Sequence, residues 1–592
     1  MSDYIYSSTP QVEGVLTKHI QSIYTNSPPE AQEFHGEWGA LAVSESQYSG
    51  FQPFETEEYI IVVVGAPVFY FRDNNFLVGD DSSEATMAIN QRWNLENNIQ
   101  WDEDLSGPFT VLYIDKKTKC INVVTDLMSF LPVYYHQSKN GLYIGTHVDA
   151  LAITAKESQN IDITSLADFV LHDVITFPYT AYTNIKQMEP SCVTAFGSQI
   201  NPPKMDFYWE PKEVNPYSNL KEASEALRQG LKGYVEHVTS KMDNVAQFIS
   251  GGEDSRALAG ILPSYLQRDA YVFLDEMNRE GKIAKKIADK YEAQFIVGYR
   301  KKTHYLDILP EASTLVGTGH QYHHAHSLEF DEKFKLNNYS AVFGGYLSDS
   351  LLKSAHALRY IKVKTDKYPF IPHVLKKGET RTQKISNKII NNYTLEKINE
   401  RRLAHFNKIK ELRPKSAHEW FVLYPATMRT AIPNIYTTRR LFKSYEPFMC
   451  KEAVKISSSV PAQWKLNRRL FNGAMKPYLA KSKWVLHADG RLPYFSWWLN
   501  SPIQFPTWLY RDLKRRFGLA KNNQGPWCDW LELIKSKEWH QFIDEHCSDL
   551  TNIGFESEGN DIHHVLNTDL LPEMKRVNLL QVAFKVNSII KS

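Results

Sequence analysis

Over about the first 200 positions, short apolar runs alternate with polar residues, the period-two pattern of half-buried strands. Residues 109–115 (FTVLYID) and 120–125 (CINVVT) flank a Lys-Lys-Thr-Lys turn and predict a hairpin. Residues 133–135 and 142–146 predict a second pair around Lys139-Asn140-Gly141, where Asn-Gly favours a tight turn. The apolar run 59–71 (YIIVVVGAPVFYF) is too short to span a bilayer and is broken by Gly-Ala-Pro, so it reads as two buried strands around a turn. A further strand is expected near 192–196. Such spacing predicts a sandwich or layered sheet, and 201–216, opening on Asn-Pro-Pro, reads as a linker.

The period then changes. Leu220, Leu227, Leu231, Val235 and Val238 recur at helical spacing. A strand (245–249), a helix (256–262), a strand (270–274), a helix with Ile283, Ala284, Ile287, Ala288 and Tyr291 on one face, and a strand (295–298) follow. Alternation of this kind predicts a parallel sheet covered by helices. Beyond about residue 400 helical patterns dominate. Within them, 506–518 (PTWLYRDLKRRFG) reads as a helix packed on the second region, with an interfacial helix as the alternative.

The stretch 248–260 (FISGGEDSRALAG) sits between an expected strand and an expected helix. Ligands bind at the carboxyl ends of strands in such sheets. The helix mouth there offers free N–H groups and the positive dipole end, which suit phosphate. Gly251 and Gly252 allow a sharp turn and a close approach, and Ser250 and Ser255 add hydroxyl donors. Asp254 would repel a phosphate unless a divalent cation such as Mg²⁺ lies between them. Arg256 opposes the macrodipole, a conflict that a bound polyanion would remove. The plain alternative is an ordinary loop with Asp254 as N-cap and Arg256 facing solvent.

Composition narrows the class. Of 592 residues, 43% are apolar and 23% charged, enough to bury several cores in a globular protein. A net charge of +1 leaves no overall footprint for nucleic acid, and the basic run 514–516 reads as a solvated face. Five scattered cysteines without metal spacing argue for a reducing compartment. With no leader-like N-terminus and no apolar run of spanning length, the expected location is cytoplasmic. His320, His323, His324 and His326 crowd one segment, for which partly buried histidines, a substrate-pocket role and a metal site all stay open.

Ser250-Gly251-Gly252-Glu253-Asp254-Ser255 resembles the PP-loop of ATP pyrophosphatases, and neither the Walker nor the dinucleotide spacing is present. Two other stretches resemble the asparagine synthetase family. Gly107-Pro108-Phe109, Asp115, Thr125-Asp126, 131–135 and 142–151 are similar to the second half of its glutaminase-type domain. Thr125 stands for the family arginine, Ser129 for a glycine, and Gly145-Thr146-His147 for Ala-Ser-Glu. The run 342–351 (VFGGYLSDSL) is similar to its second ATP motif, with Gly344 and Gly345 in the turn, Asp349 at the second Mg²⁺-pyrophosphate aspartate, and Ser350 in place of the following Glu. Pro447-Phe448, Pro461 and 467–471 resemble the region that supplies a lysine facing the adenylate, and Arg468 falls there.

The resemblance implies an α/β protein: an N-terminal Ntn-type α/β/β/α domain over 1–205, then a PP-loop synthetase domain with a helical C-terminal portion over 215–592. It also implies an AMP-forming ligase that joins a carboxylate to an amine or ammonia through an acyl-adenylate. ATP would contact Ile249, Ser250, Gly251, Gly252, Asp254, Ser255, Arg256, Gly344 and Gly345. Asp254 and Asp349 would hold Mg²⁺, with Asp254, Asp349 and Arg468 catalytic. Ser2 stands where glutamine-hydrolysing members carry Cys, so glutaminase activity is not expected. In that respect the chain is similar to β-lactam synthetases and lasso-peptide cyclases, whose amine lies within the substrate. Another PP-loop enzyme acting on tRNA, or a non-catalytic scaffold, are the other readings; neither nucleic acid nor a membrane span is expected, and an oligomer is open.

Overall fold

A computed structural model describes residues 2–71, 82–197, 200–359, 368–376, 389–519, 523–547 and 562–591. In the first region two six-stranded antiparallel sheets lie face to face. One runs in the order Lys186–Gln187, Tyr134–Ser138, Gly141–Gly145, Tyr4–Ser7, Gly39–Ser44, Ala31–Gly36. The other runs Ile200–Phe207, Cys192–Gly197, Ile121–Thr125, Thr110–Asp115, Tyr59–Val64, Phe54–Glu55. Alternation sets the faces. Ile60, Val62 and Val64 meet Tyr4, Tyr6 and Leu41 between the sheets. Ile61 and Val63 turn outward onto Ala85, Ala88 and Ile89 of the helix Glu84–Asn90. On the other flank Ile5, Ala40 and Ala42 meet Leu16 and Ile20 of the helix Val15–Gln21. The result is the expected α/β/β/α stack. Burial on both faces explains why 59–64 reads as an unbroken apolar run.

The expected linker is corrected at its start. Ile200–Phe207 is a strand paired with Cys192–Gly197, and it carries Pro202 and Pro203. It ends its sheet, and an edge strand tolerates residues that cannot donate to a ladder.

The second region is built on a parallel sheet in the order Gln294–Tyr299, Gln267–Leu274, Asn244–Phe248, Ala341–Phe343, Ser444–Tyr445. Its first strand in the chain lies at the centre, so the winding reverses between Asn244–Phe248 and Ala341–Phe343, which pair Val245 with Ala341 and Gln247 with Phe343. Ser444–Tyr445 was not foreseen, because two residues carry no period. Helices Leu220–Thr239, Asp254–Ile261 and Arg279–Lys290 fill the expected crossover positions, and Ala284, Ile287 and Ala288 pack on Val272 and Leu274.

One core joins the regions, running from Leu41 and Val62 to Leu231, Leu258 and Phe448. At their junction the buried carboxylate of Asp3 takes both arms of Arg440, at 2.8 and 2.9 Å. All five cysteines carry free thiols. Among the described residues no helix is long and apolar enough to cross a membrane.

Candidate active site

A parallel sheet opens a crevice where its strand order reverses, at the carboxyl ends of the two strands concerned. Here Asn244–Phe248 feeds the glycine loop and the helix Asp254–Ile261, while Ala341–Phe343 feeds Gly344-Gly345 and the helix Ser348–Leu352. Between them lies a cavity of about 460 Å³ lined by Ile249, Ser250, Asp254, Ser255, Gly344, Gly345 and Asp349, with Glu446 and Arg429 on its walls. Two stretches nearly 100 positions apart in sequence therefore share one site, as the motifs implied.

Four expected residues stand outside that lining. Gly251 and Gly252 turn the loop behind it: the Gly251 N–H donates to Glu280 at 2.6 Å, and the Gly252 N–H donates to Ser250 Oγ at 3.1 Å. A Cβ on Gly251 would approach Glu280 Oε2 to 2.9 Å, so that carboxylate requires the glycine. Arg256, read as a nucleotide or solvent contact, is fully buried. It donates to the carbonyls of Val485 (2.7 Å) and Leu486 (3.4 Å), and burial lowers its pKa to about 10. It braces the loop against the 485–486 segment. Arg468 turns to Glu253, at 2.6 Å. Its backbone is left-handed at φ +64°, a conformation costly for arginine and held here by the surrounding contacts.

The charged centre is richer than the motifs disclose. Glu253, Asp254 and Asp349 each present a carboxylate oxygen within 4.8 Å of the others. Lys353 sits among them, 2.8 Å from Glu253, 2.8 Å from Asp349 and in contact with Asp254. Arg491 also reaches Glu253, at 2.5 Å. Burial pushes the Glu253 carboxyl up, but Arg491, Lys353 and Arg468 outweigh it and hold the group well below the usual range. Asp254 goes the other way: burial, with Asp349 and Glu253 adding like charge, outweighs Lys353 and raises it to about 7. Lys353 lowers Asp349, whose side chain remains 66% exposed toward the cavity. Glu446 is buried, accepts from the Tyr346 N–H at 2.8 Å, and is raised by burial to about 7. A Cβ on Gly344 would meet its Oε1 at 2.0 Å, so Gly344 leaves room for that carboxylate.

Mg²⁺ prefers oxygen ligands, and this donor set offers three carboxylates. Asp254 and Asp349 fit, being partly exposed carboxylates in the first turns of facing helices. Glu253 does not, because Arg491, Arg468 and Lys353 already hold both its oxygens. Sequence reasoning missed Lys353 although it stands at i+4 from Asp349 on a helix, a readable pairing. Glu446 and Arg491 come from distant segments, and no local signal marks them.

The histidine segment divides. His323 and His324 are buried against Trp527 and Trp530, with the Nδ1 atoms of both unpartnered, and burial lowers both far below the usual range. His320 meets the Tyr134 hydroxyl at 3.0 Å. His326 alone lines the cavity. Among the described residues the ligand atoms that gather within 4.8 Å of one another in a group of three are those of the acidic cluster, and none of these histidines belongs to it.

Residues 35–209 match the family described as a glutamine amidotransferase domain. More particularly, the chain is 24% identical over 180 residues to a Methanocaldococcus jannaschii protein named "Putative asparagine synthetase (glutamine-hydrolyzing) 2". That match covers 29% of this chain and 34% of the other, so the chain spans about a third of that relative. Two solved structures show a looser likeness. One, titled as the allosteric regulatory enzyme of purine biosynthesis, gives a TM-score of 0.25 at 8% identity over 51% of this chain and 80% of its own. The other, the glutamine phosphoribosylpyrophosphate amidotransferase of B. subtilis with ADP and GMP, gives 0.24 at 7% identity over 52% and 92%. At those scores neither site can be laid over this one. Coarsely, the chain carries an amidotransferase-type first region and is distantly similar to an amide-forming ligase.

Proposed function

We propose that the protein is an ATP-dependent, AMP-forming ligase of the asparagine synthetase kind. The observation that supports this most is the meeting of Asp254 and Asp349 from two motif loops across one cavity at the point of strand reversal. A substrate carboxylate oxygen attacks the α-phosphorus of ATP, and the bond to the bridging oxygen breaks, releasing pyrophosphate. An amine nitrogen then attacks the acyl carbon of the acyl-adenylate, AMP leaves, and the nitrogen loses a proton. Magnesium held by Asp254 and Asp349 would neutralise phosphate charge. The chain contributes position and charge: the Ser250 and Ser255 hydroxyls orient phosphate oxygens, and Lys353, Arg468 and Arg491 set the charge behind them. Glu446, raised by burial to about 7 and on the cavity wall, would receive the amine proton.

ATP–pyrophosphate exchange with the purified protein and a panel of carboxylates tests the reading. Exchange with at least one is expected, and none, together with no heat of ATP binding in calorimetry, sinks it. ATP binding without exchange would favour a non-catalytic scaffold, a reading that the seating of Lys353 among the three carboxylates also supports.

A further inference from the structure

The helix Trp497–Arg516 is inside out. In a helix that covers a globular core the apolar stripe faces inward. Here the inward positions are Asn500, Gln504 and Asp512, while Trp497, Trp498, Phe505, Leu509, Tyr510 and Leu513 are exposed. Asn500 fastens that polar face: its Oδ1 accepts from the Leu492 N–H at 2.7 Å, and its Nδ2 donates to the carbonyls of Leu492 (3.0 Å) and Phe495 (2.9 Å). The apolar surface continues onto Phe517 beyond the helix, 74% exposed, and onto Trp484, 70% exposed. Trp484 packs on Phe495 at a ring distance of 5.3 Å, beside the helix's anchoring loop. Packing against the second region, the expectation for 506–518, holds for the polar face and for Phe505 and Trp508, which meet Tyr368 and Phe370, but not for the other exposed rings and the leucines.

Charge says what covers the rest. The helix carries Arg511, Lys514, Arg515 and Arg516 against a single acid, Asp512, which already pairs with Arg516 at 2.7 Å. Lys514 lies 4.6 Å above the Tyr510 ring, and Lys483 lies beside Trp484, so cations stand among the exposed rings. Exposed tryptophan and tyrosine interleaved with lysine and arginine suit the headgroup level of a bilayer, where rings enter the interface and cations meet anionic lipid. No described helix can cross a membrane, so the mode is lying on the surface.

We propose that this helix, with Trp484, seats the protein on an anionic phospholipid surface. The segment 484–491 links that surface to the cavity, since Arg511 donates to the Ala488 carbonyl at 2.8 Å and Arg491 holds Glu253. The inference does not depend on the reading of the nucleotide site.

Flotation of the full chain with vesicles of phosphatidylcholine alone, or with phosphatidylglycerol added, tests it. Floated protein should rise about tenfold with the anionic lipid and fall back on raising the salt. The paired change Leu509→Glu and Tyr510→Glu, and separately Lys514→Glu with Arg515→Glu, should each remove most of that gain, while the melting temperature stays that of the parent. Equal flotation with both vesicles, or none, overturns the proposal. So does a concentration-dependent dimer in ultracentrifugation that Leu509→Glu dissolves, because the face would then belong to a second copy. The salt response of the unaltered protein decides the matter even if a variant fails to fold.

Discussion

The junction between the regions and the cavity of the second region treat their carboxylates in opposite ways. At the junction with the first region, burial disfavours the Asp3 charge, but Arg440 outweighs it and holds the carboxyl well below the usual range. Asp149 behaves alike: Lys585 at 3.0 Å and the Tyr182 hydroxyl at 3.0 Å accompany a value lowered to about 2 despite burial. Across the cavity of the second region, Asp254, which shares Lys353 with Glu253 and Asp349, and Glu446 are both raised to about 7. A fully paired acid stabilises a junction, whereas an underpaired one is stored electrostatic work that a ligand can relieve. Asp126 is the exception in the first region: burial raises it to about 6, and only backbone N–H groups, such as those of Met128 at 2.9 Å and Phe130 at 3.0 Å, receive it. It lies outside the lining of the cavity described above, and its hydrogen bonds hold the turn 126–131.

The contrast breaks most readily at the cavity. Asp254→Asn and Asp349→Asn should each lower pyrophosphate exchange by about 10²–10³-fold, the scale of losing one preorganised electrostatic contact. Melting temperature should hold or rise slightly for Asp254→Asn, since a like-charge conflict disappears. A fall in stability matching the loss of exchange would make Asp254 a structural acid like Asp3. The converse test is Asp3→Ala, which leaves Arg440 buried and unpaired. A loss of about 3–5 kcal/mol in denaturant unfolding is expected. A loss below about 1 kcal/mol, the surface-pair scale, would void the distinction between the regions.

Much of this layout was legible in the chain. The strands at 109–115, 120–125 and 245–249 announce themselves by period, and the two loops by glycine and aspartate spacing. The opening strands Tyr4–Ser7, Ala31–Gly36 and Gly39–Ser44 went unread, because residues such as Ser7, His35 and Gly39 dilute the alternation. The pairing of Asp3 with Arg440 joins positions 437 apart, and no local pattern encodes a contact of that range. Likewise Glu446 acquires its raised value from burial that only the assembled cavity creates.

Acid should expose the histidines next. Burial lowers His147 and His320 to about 4 and His323 to about 3, so the folded protein keeps them neutral. Their stabilisation is complete above the unfolded value of about 6.5 and is lost as the pH falls through the window toward 4, where the unfolded chain binds protons first. Asp254 and Glu446, raised to about 7, take up protons in the folded state over the same range and offset part of that loss, so a drop in melting temperature of about 2–5 °C between pH 7 and pH 5 is expected. The paired acids Asp3 and Asp149 add nothing in that window and begin to fail only below about 3.9. A flat profile down to pH 5 followed by collapse near 3.5 would place the acid sensitivity in the carboxylates instead.

The smallest effect sharpens the comparison inside the loop itself. Arg256 stands next to the nucleotide loop in sequence, yet its guanidinium is spent on the carbonyls of Val485, Leu486 and Gly251. Lysine keeps the charge but cannot divide three donors over that fork. Arg256→Lys should therefore cost about 1–2 kcal/mol in stability. Calorimetric affinity for ATP should stay within about twofold of the parent, a difference under 0.5 kcal/mol. If affinity instead falls about tenfold with stability unchanged, Arg256 reaches the polyanion after all. The brace seen here would then be the arrangement that ligand binding displaces.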